Sequence, residues 1–510
     1  MDPETVHRRR WVILGIMSLS LVITLLNNVT VNVALPELSK DLGADNTELQ
    51  WIMDAYVVVF GGLLLVMGAL GDRFGRRHAL LLGLAIVGLV SALTAQYATT
   101  SEQVISARAM MGLGAALVMP ATLSVIVVVF PPDERGKAVG VWVGMAGVGA
   151  PIGLLVGGWA VESFDWRAVF WINPPIIAVA MLLTVLLVPN SRDEQERPMD
   201  PVGAALSVAA LGSILYAIIE GPSLGWGSKE VMGLGALGLM LTVVFVRWER
   251  RADYPMLPIE FFLNRGFTLG LVAISLAFFV MFSFMFTQML HFQLVRGHSA
   301  FDAALRFLPL PLGLMPMAAN SDRFCERFGS NNVVAFGLAL IGAAMMIFTT
   351  VDSNTEYVLL ALIFFLIGMG MGLTMAPSTT MVMDSIPHDK AGVGSATNDA
   401  SREVGGAFGI AIVGSAVNEI YQRKMVVPEG LEVHSGIVLE SFPAAMQIGA
   451  DLLSQGNAVG LELMENAKFA FVEGMTGAAA VSALVAIINA ILVKLYMPRR
   501  SIPDVVEDGV

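Results

Sequence analysis

Fourteen apolar stretches, joined by loops that are rich in basic residues on alternate sides only, constrain this chain more than any other feature. Lipid offers backbone amides no partner, so a run of ~20 apolar residues crosses the hydrocarbon core as a helix. Spans are expected at 11–35, 49–70, 78–97, 103–130, 136–160, 166–188, 201–219, 230–248, 266–294, 300–320, 332–350, 356–384, 391–417 and 468–496. The expected class is therefore an all-α polytopic membrane protein. Composition agrees: 56% of the 510 residues are hydrophobic and 14% are charged, against about 25% charged in soluble domains.

Net charge, −12, says less than the placement of the cations. Arg8, Arg9 and Arg10 precede span 1, and Arg73, Arg76 and Arg77 follow span 2. The even-numbered spans further on are followed by Arg135 and Lys137, Arg192 and Arg197, Arg247, Arg250, Arg251 and Arg265, Arg323 and Arg327, and Lys390. Lys494, Arg499 and Arg500 close the chain. Opposite loops carry little beyond Lys40, Lys229, Arg296, Arg423 and Lys424. Both termini are thus expected in the cytoplasm, which needs an even number of spans. Span 1 is too long for a signal-peptide core and lacks a small-residue cleavage site, so it is expected to remain a membrane helix. The one cysteine, Cys325, excludes an intrachain disulfide. No nucleic-acid partner is expected, and a monomer is.

Polar breaks divide the chain. Residues 1–188 hold six spans, residues 189–258 a linker with two more, and residues 259–510 a second six. The linker opens with the charged stretch PNSRDEQERPMD. Asp72-Arg73-Phe74-Gly75 after span 2 is echoed by Glu326-Arg327-Phe328-Gly329 after span 10. Repeated halves around a central site are common in secondary transporters. The outer segment 418–467 contains an apolar stretch, 437–453, expected as a short helix on the membrane surface; a spacer or cap is the preferred reading over a gating lid.

Several residues stand out chemically. Arg108 lies among apolar neighbours in span 4, and an intramembrane charge is a functional candidate by default; an arginine that snorkels or pairs quietly is the plainer alternative. Span 5 carries Gly140, Gly149, Gly153, Gly157 and Gly158 with Pro151, a pattern for close helix approach that any membrane bundle can use. Asp54 in span 2 and Asp399 and Glu403 in span 13 are the acids best placed to exchange a proton, since burial disfavours a charged carboxylate. A static ion pair near a helix end is the plainer alternative for each, least so for Asp54. Asp399 and Glu403 share one helix face. Span 9 offers Phe278, Met281, Phe282, Met285, Phe286, Gln288 and Met289, and Met and aromatic side chains repack around varied ligands. A lipid-facing stripe accounts for the same residues. His291 is expected at the membrane interface rather than as a proton carrier.

Gly68-Ala-Leu-Gly-Asp72-Arg73-Phe-Gly75-Arg76-Arg77, in its place between spans 2 and 3, resembles the loop signature of the major facilitator superfamily. Arg108 to Gly114 and the glycines of span 5 resemble two further signatures of that superfamily. Six spans, an inserted pair and six more resemble its fourteen-helix drug:proton antiporter branch. The resemblance runs from about residue 11 to 495. It implies a bacterial inner-membrane exporter of amphipathic, often cationic drugs, with protons as the coupling ion and no other cofactor. It implies a part in proton coupling for Arg108, beside the acids Asp54, Asp399 and Glu403 that burial already singles out. Substrate contact falls to Asn27, Asp54, Met281, Met285, Gln288 and Met289. Gating falls to Gly68, Asp72, Arg73, Gly75, Arg76, Arg77, Glu326 and Arg327, with a hinge along the span 5 glycines and Pro151. Three positions depart from the pattern: Asn27 stands where an aspartate is usual, Leu154 where a proline is, and Asp322 where a glycine is. Export of an endogenous lipid or metabolite, and a transport-inactive sensor or scaffold, are the competing readings. The chain carries no Gly-x-x-x-x-Gly-Lys-Ser/Thr loop for ATP, no metal-ligand cluster and no nucleophile–base pair at motif spacing, so an enzyme is not expected.

Overall fold

The structure is a computed structural model that describes residues 3–191 and 200–498, apart from 254, 256, 258, 387–390 and 432–434. No strand occurs among the described residues. The long helices are α1 (Pro3–Leu42), α2 (Asn46–Phe74), α3 (Arg76–Tyr97), α4 (Ser101–Val129), α5 (Pro132–Ser163), α6 (Asn173–Leu187), α7 (Pro201–Ile219), α8 (Lys229–Glu249), α9 (Arg265–Leu290), α10 (Pro309–Phe328), α11 (Ser330–Phe348), α12 (Tyr357–Asp384), α13 (Ala391–Lys424) and α14 (Val459–Tyr496). Eleven helices among the described residues are long and apolar enough to cross a membrane. Helices α2, α5 and α10 fall outside that set; α10 ends in the charged Asp322, Arg323, Glu326 and Arg327.

Polar loop residues start the helices where the sequence turns apolar. Asp45 and Glu48 form a reciprocal capping box on α2, Thr100 caps α4, and Asp200 caps α7 ahead of Pro201. Each satisfies amides that have no intrahelical acceptor. Gly75 between α2 and α3 has φ +108° and Gly329 between α10 and α11 has φ +84°. Both lie in the left-handed region that favours glycine, so the two copies of the Arg-Phe-Gly motif make the same kind of reversal.

Two expected spans differ in form. Residues 300–320 split into a short helix, Ala300–Leu305, and α10, because Pro309 and Pro311 suit a helix start and cannot donate within one. The outer segment 418–467 is mostly helix among its described residues, with helical turns over most of the expected 437–453 stretch. Helix α13 runs on to Lys424, α14 begins at Val459, and Ser435–Glu440 and Phe442–Ser454 lie between. Phe442 stacks on Phe471 of α14 at 4.2 Å, and Tyr421 donates to the Val438 carbonyl at 2.8 Å. This segment is packed onto the bundle. Hydropathy missed the added turns because it marks the membrane-crossing part of a helix, not its ends.

Helices α1–α6 pack together, as do α9–α14, and α2 meets α13 along the seam between the sets. The inserted α7 packs on α8 and also touches α2 and α13. We call the end bearing the chain termini the near end and the other the far end.

Candidate functional site

Arg108 is fully buried in α4. Its Nε donates to the Ile52 carbonyl at 2.9 Å, Nη1 to the Asn27 carbonyl at 3.0 Å and Nη2 to Asn28 Oδ1 at 3.5 Å. The guanidinium lies 4.4 Å from the Tyr56 ring centroid, a cation–π distance. Tyr56 in turn donates to the Thr24 carbonyl at 3.3 Å. The cation therefore ties α1, α2 and α4 together through carbonyls and a ring. It neither snorkels nor forms an ion pair in these contacts. Tyr56 is the partner that sequence reasoning did not single out.

Asn27 is buried beside this network, and both its side-chain polar atoms lack a hydrogen-bond partner. Its backbone carbonyl, not its amide, serves Arg108.

Asp54 is fully buried and neither carboxylate oxygen has a hydrogen-bond partner. Its place follows from helix register. A Cβ built on Gly414 of α13 would touch Gln50 at 2.8 Å, and one built on Gly61 would lie 3.3 Å from Glu403. Positions 50, 54, 57 and 61 share one face of α2 at helical spacing, so Asp54 lies on the α2–α13 seam between these contacts. Glu403 lies at the level of Gly61, seven residues or ~10 Å along the axis from Asp54. The two acids share a seam without meeting.

On α13, Asp399 pairs with Arg402 at 3.2 Å. Arg402 also reaches Thr379 at 3.4 Å and lies 5.8 Å from the Phe278 ring centroid. Glu403 is half-buried, with Oε2 lacking a partner. Asp399 and Glu403 thus differ: among the described residues one is held in an ion pair and the other is not.

Every residue of α9 from Gly266 to Leu290 is buried or half-buried, so the Met and aromatic stripe is not a lipid-facing one. Met281, Phe282 and Met285 are half-buried; Gln288 and Met289 are buried. Gln288 Nε2 lies 3.2 Å from Met475 Sδ and its Oε1 lacks a partner. Close approach of α13 comes from Gly405 and Gly409, whose built Cβ atoms would lie 2.0 Å and 2.1 Å from the carbonyls of Ser275 and Phe279. His291, expected at the interface, is instead fully buried with both ring nitrogens unpartnered. It opens a π-helical turn, His291–Val295, that continues α9.

The loop between α2 and α3 is held from the linker side. Arg76 N donates to the Ser191 carbonyl at 2.9 Å and Arg77 Nη1 to the Val188 carbonyl at 3.3 Å. Arg73 lies 5.5 Å from the Phe74 ring centroid. In the second copy Arg327 stacks likewise on Phe328 at 5.4 Å, and Glu326 sits one residue before it. A Cβ on Gly68 would lie 3.3 Å from Pro120 of α4. The side chain of Asp72 lies outside the described residues, as do the side-chain positions of Gly140 and Pro151.

The glycines of α5 serve two partners. Gly149, Gly153 and Gly157 face Leu25, Leu26 and Thr30 of α1. Gly158 instead meets the backbone of Ala300 and Phe301, where a Cβ would lie 2.8 Å from both the Ala300 oxygen and the Phe301 Cα. That is a contact between the two six-helix sets. The hydrogen bonds that join those sets through pairs of described residues also lie at the far end. Gln293 donates to the Val33 carbonyl at 2.9 Å, Ser299 to Glu162 at 2.8 Å, and Asn46 to Asn418 at 3.2 Å and the Glu440 carbonyl at 3.5 Å.

Two bundles of six helices, a polar seam between them and buried ionisable side chains define a multi-pass membrane protein built for transport. The sequence matches the Major Facilitator Superfamily over residues 17–410, and the chain belongs to that superfamily. It is 31% identical to the multidrug efflux pump LfrA of Mycolicibacterium smegmatis over 96% of this chain and 97% of that protein. It is 30% identical to the methyl viologen resistance protein SmvA of Salmonella typhimurium, over 91% and 93%. It is 33% identical to the puromycin resistance protein pur8 of Streptomyces alboniger, over 79% and 81%. In fold it is similar to a bacterial homolog of the human lysosomal transporter Spinster in an inward-facing, unoccupied conformation. That likeness has a TM-score of 0.67 at 16% identity, covering 96% and 98% of the two chains. The relatives support a drug exporter, and no group of three or more metal-ligating side chains occurs among the described residues.

Proposed function

We propose that this chain is a proton-coupled antiporter that exports amphipathic, often cationic drugs or dyes by alternating access. Fourteen helices would cross the bacterial inner membrane, with both termini in the cytoplasm, and the protein would act as a monomer. The observation that carries the reading is Asp54: a fully buried carboxyl group with no partner, on the seam where the two bundles meet. An uncompensated buried charge is costly, so a proton is the natural neutraliser, and parting the seam changes that cost. Arg108 supplies a fixed positive field from α4, and Glu403 is a second exchangeable acid deeper on the same seam. The Met281, Phe282 and Met285 face of α9 gives an adaptable apolar wall. Contacts at the far end would close the path to the outside. One proton moving down ~100 mV and one pH unit supplies ~2.3 plus ~1.4 kcal/mol, enough to hold a neutral substrate at a gradient of roughly several hundredfold; exchange of one proton for a monovalent cation moves no net charge and leaves the ~1.4 kcal/mol of the pH difference, about tenfold.

The test is substrate-induced proton flux in proteoliposomes, across a small library of cationic dyes, antibiotics and lipids. Dye-dependent proton release supports the reading. Dye movement that is indifferent to an imposed pH gradient refutes the coupling, and flux with lipids alone favours an endogenous substrate.

A further inference from the structure

A groove of about 450 Å³ runs down the outer surface of the second bundle between α11 and α14. Its floor is made of small residues, Ala335, Ala339 and Ala490, and its walls of Phe336, Ile487 and Ile491. The small side chains are what create it: at positions 335 and 339 on α11, one turn apart, neither helix fills the space between them. Lys494 closes the near end, donating to Asn332 Oδ1. Lys494 forms no ion pair among the described residues. From Asn332 to Ala339 the groove descends seven residues, ~10 Å of helix. Tyr496, exposed two residues beyond the lysine, marks the level where aromatic side chains meet headgroups.

An apolar trough capped at headgroup depth by an ammonium with no ion-pair partner among the described residues has the chemistry of an acyl chain below a phosphate. We propose that this groove is a site for an anionic phospholipid, with its phosphate on Lys494 and one acyl chain over the alanine floor. The inference does not depend on what the protein exports. Charge selects the occupant: a zwitterionic lipid brings a cation of its own, and a second copy of this chain would set Lys494 against the same apolar walls.

Native mass spectrometry of the full chain in detergent tests this, reading the most strongly retained lipid. Phosphatidylglycerol should outcompete phosphatidylcholine of the same acyl composition by about fivefold, the ~1 kcal/mol expected of one basic residue near a membrane surface. K494Q should reduce the preference to near unity and K494R should keep it. A339W should lower retention of both lipids. Glycerol phosphate, which has no acyl chain, should not compete. An unchanged preference in K494Q overturns the proposal. So does displacement by glycerol phosphate, or a dimer mass in place of a lipid adduct.

Discussion

Gly158→Ala tests whether the far-end closure is set by backbone contact between the bundles. The added Cβ would sit 2.8 Å from the Ala300 oxygen and 2.8 Å from the Phe301 Cα, and 3.1 Å from the Ala300 carbonyl carbon. These are backbone atoms, so no rotamer change relieves the clash. Ordinary van der Waals contact would require the bundles to separate by a fraction of an ångström. Overpacking of that kind costs ~1–3 kcal/mol. Because the clash exists only with the far end closed, the whole cost falls on one conformation, and the open population rises roughly 5- to 150-fold. Cys325 is the chain's one cysteine, so Cys325→Ser provides a clean background. Val33→Cys then places a reporter that is fully buried at the far-end contact. Labelling by a membrane-impermeant maleimide in cells should accelerate at least about fivefold with Gly158→Ala, the lower end of that range. Gly153→Ala is the control. Its Cβ meets the flexible Leu26 side chain at 3.2 Å inside one bundle, and labelling should stay at the parent rate. Equal labelling of the parent and Gly158→Ala would refute the argument that this contact sets the closure.

Asp54→Asn should leave the purified protein within ~1 kcal/mol of the parent stability, since neither oxygen has a partner to lose. It should nonetheless bring dye-coupled proton flux to background; unchanged flux removes Asp54 from the mechanism. Asn27→Asp adds a carboxylate on the residue whose carbonyl accepts from Arg108 at 3.0 Å. Export of divalent dyes should improve relative to monovalent ones and become more sensitive to pH, measured between about 6 and 8, because the added carboxyl group can ionise where the amide cannot; equal selectivity in both forms places position 27 off the path. Glu220, just beyond α7, accepts from Trp51 Nε1 at 3.2 Å, and burial raises its carboxyl group above the ordinary range. A raised folded pKa means that the contribution to stability is fully present below the unfolded pKa and is lost as pH rises through the folded one. Melting temperature should therefore fall from this group as pH rises above the ordinary glutamate range, ~4.3, and Glu220→Gln should flatten that part of the profile.

The architecture was legible in the sequence because the membrane imposes one rule on every span. Backbone amides must be satisfied within the helix, so apolar runs become helices whatever packs beside them. The Arg-Phe-Gly repeat was legible for an equally local reason: Gly75 and Gly329 take positive φ, which few other residues adopt without strain. Arg108 could be singled out, since a lone cation in an apolar run has to be accommodated. Its partners could not. They are the Ile52 and Asn27 carbonyls and the Tyr56 ring, brought there from α2 and α1 by tertiary packing. The Met-rich face of α9 reads the same whether it faces lipid or protein, and only the burial of the whole helix decided between them. Asp399 and Glu403 look alike in sequence, one helical turn apart; the structure holds the first against Arg402 and leaves an oxygen of the second unpartnered. The α5 glycines likewise form one stripe in sequence but serve two partners in space, Gly158 alone among those described reaching across to Ala300. Sequence pattern reports what each helix needs from its solvent. Which neighbour meets that need depends on register between helices far apart in the chain, and that is decided by packing.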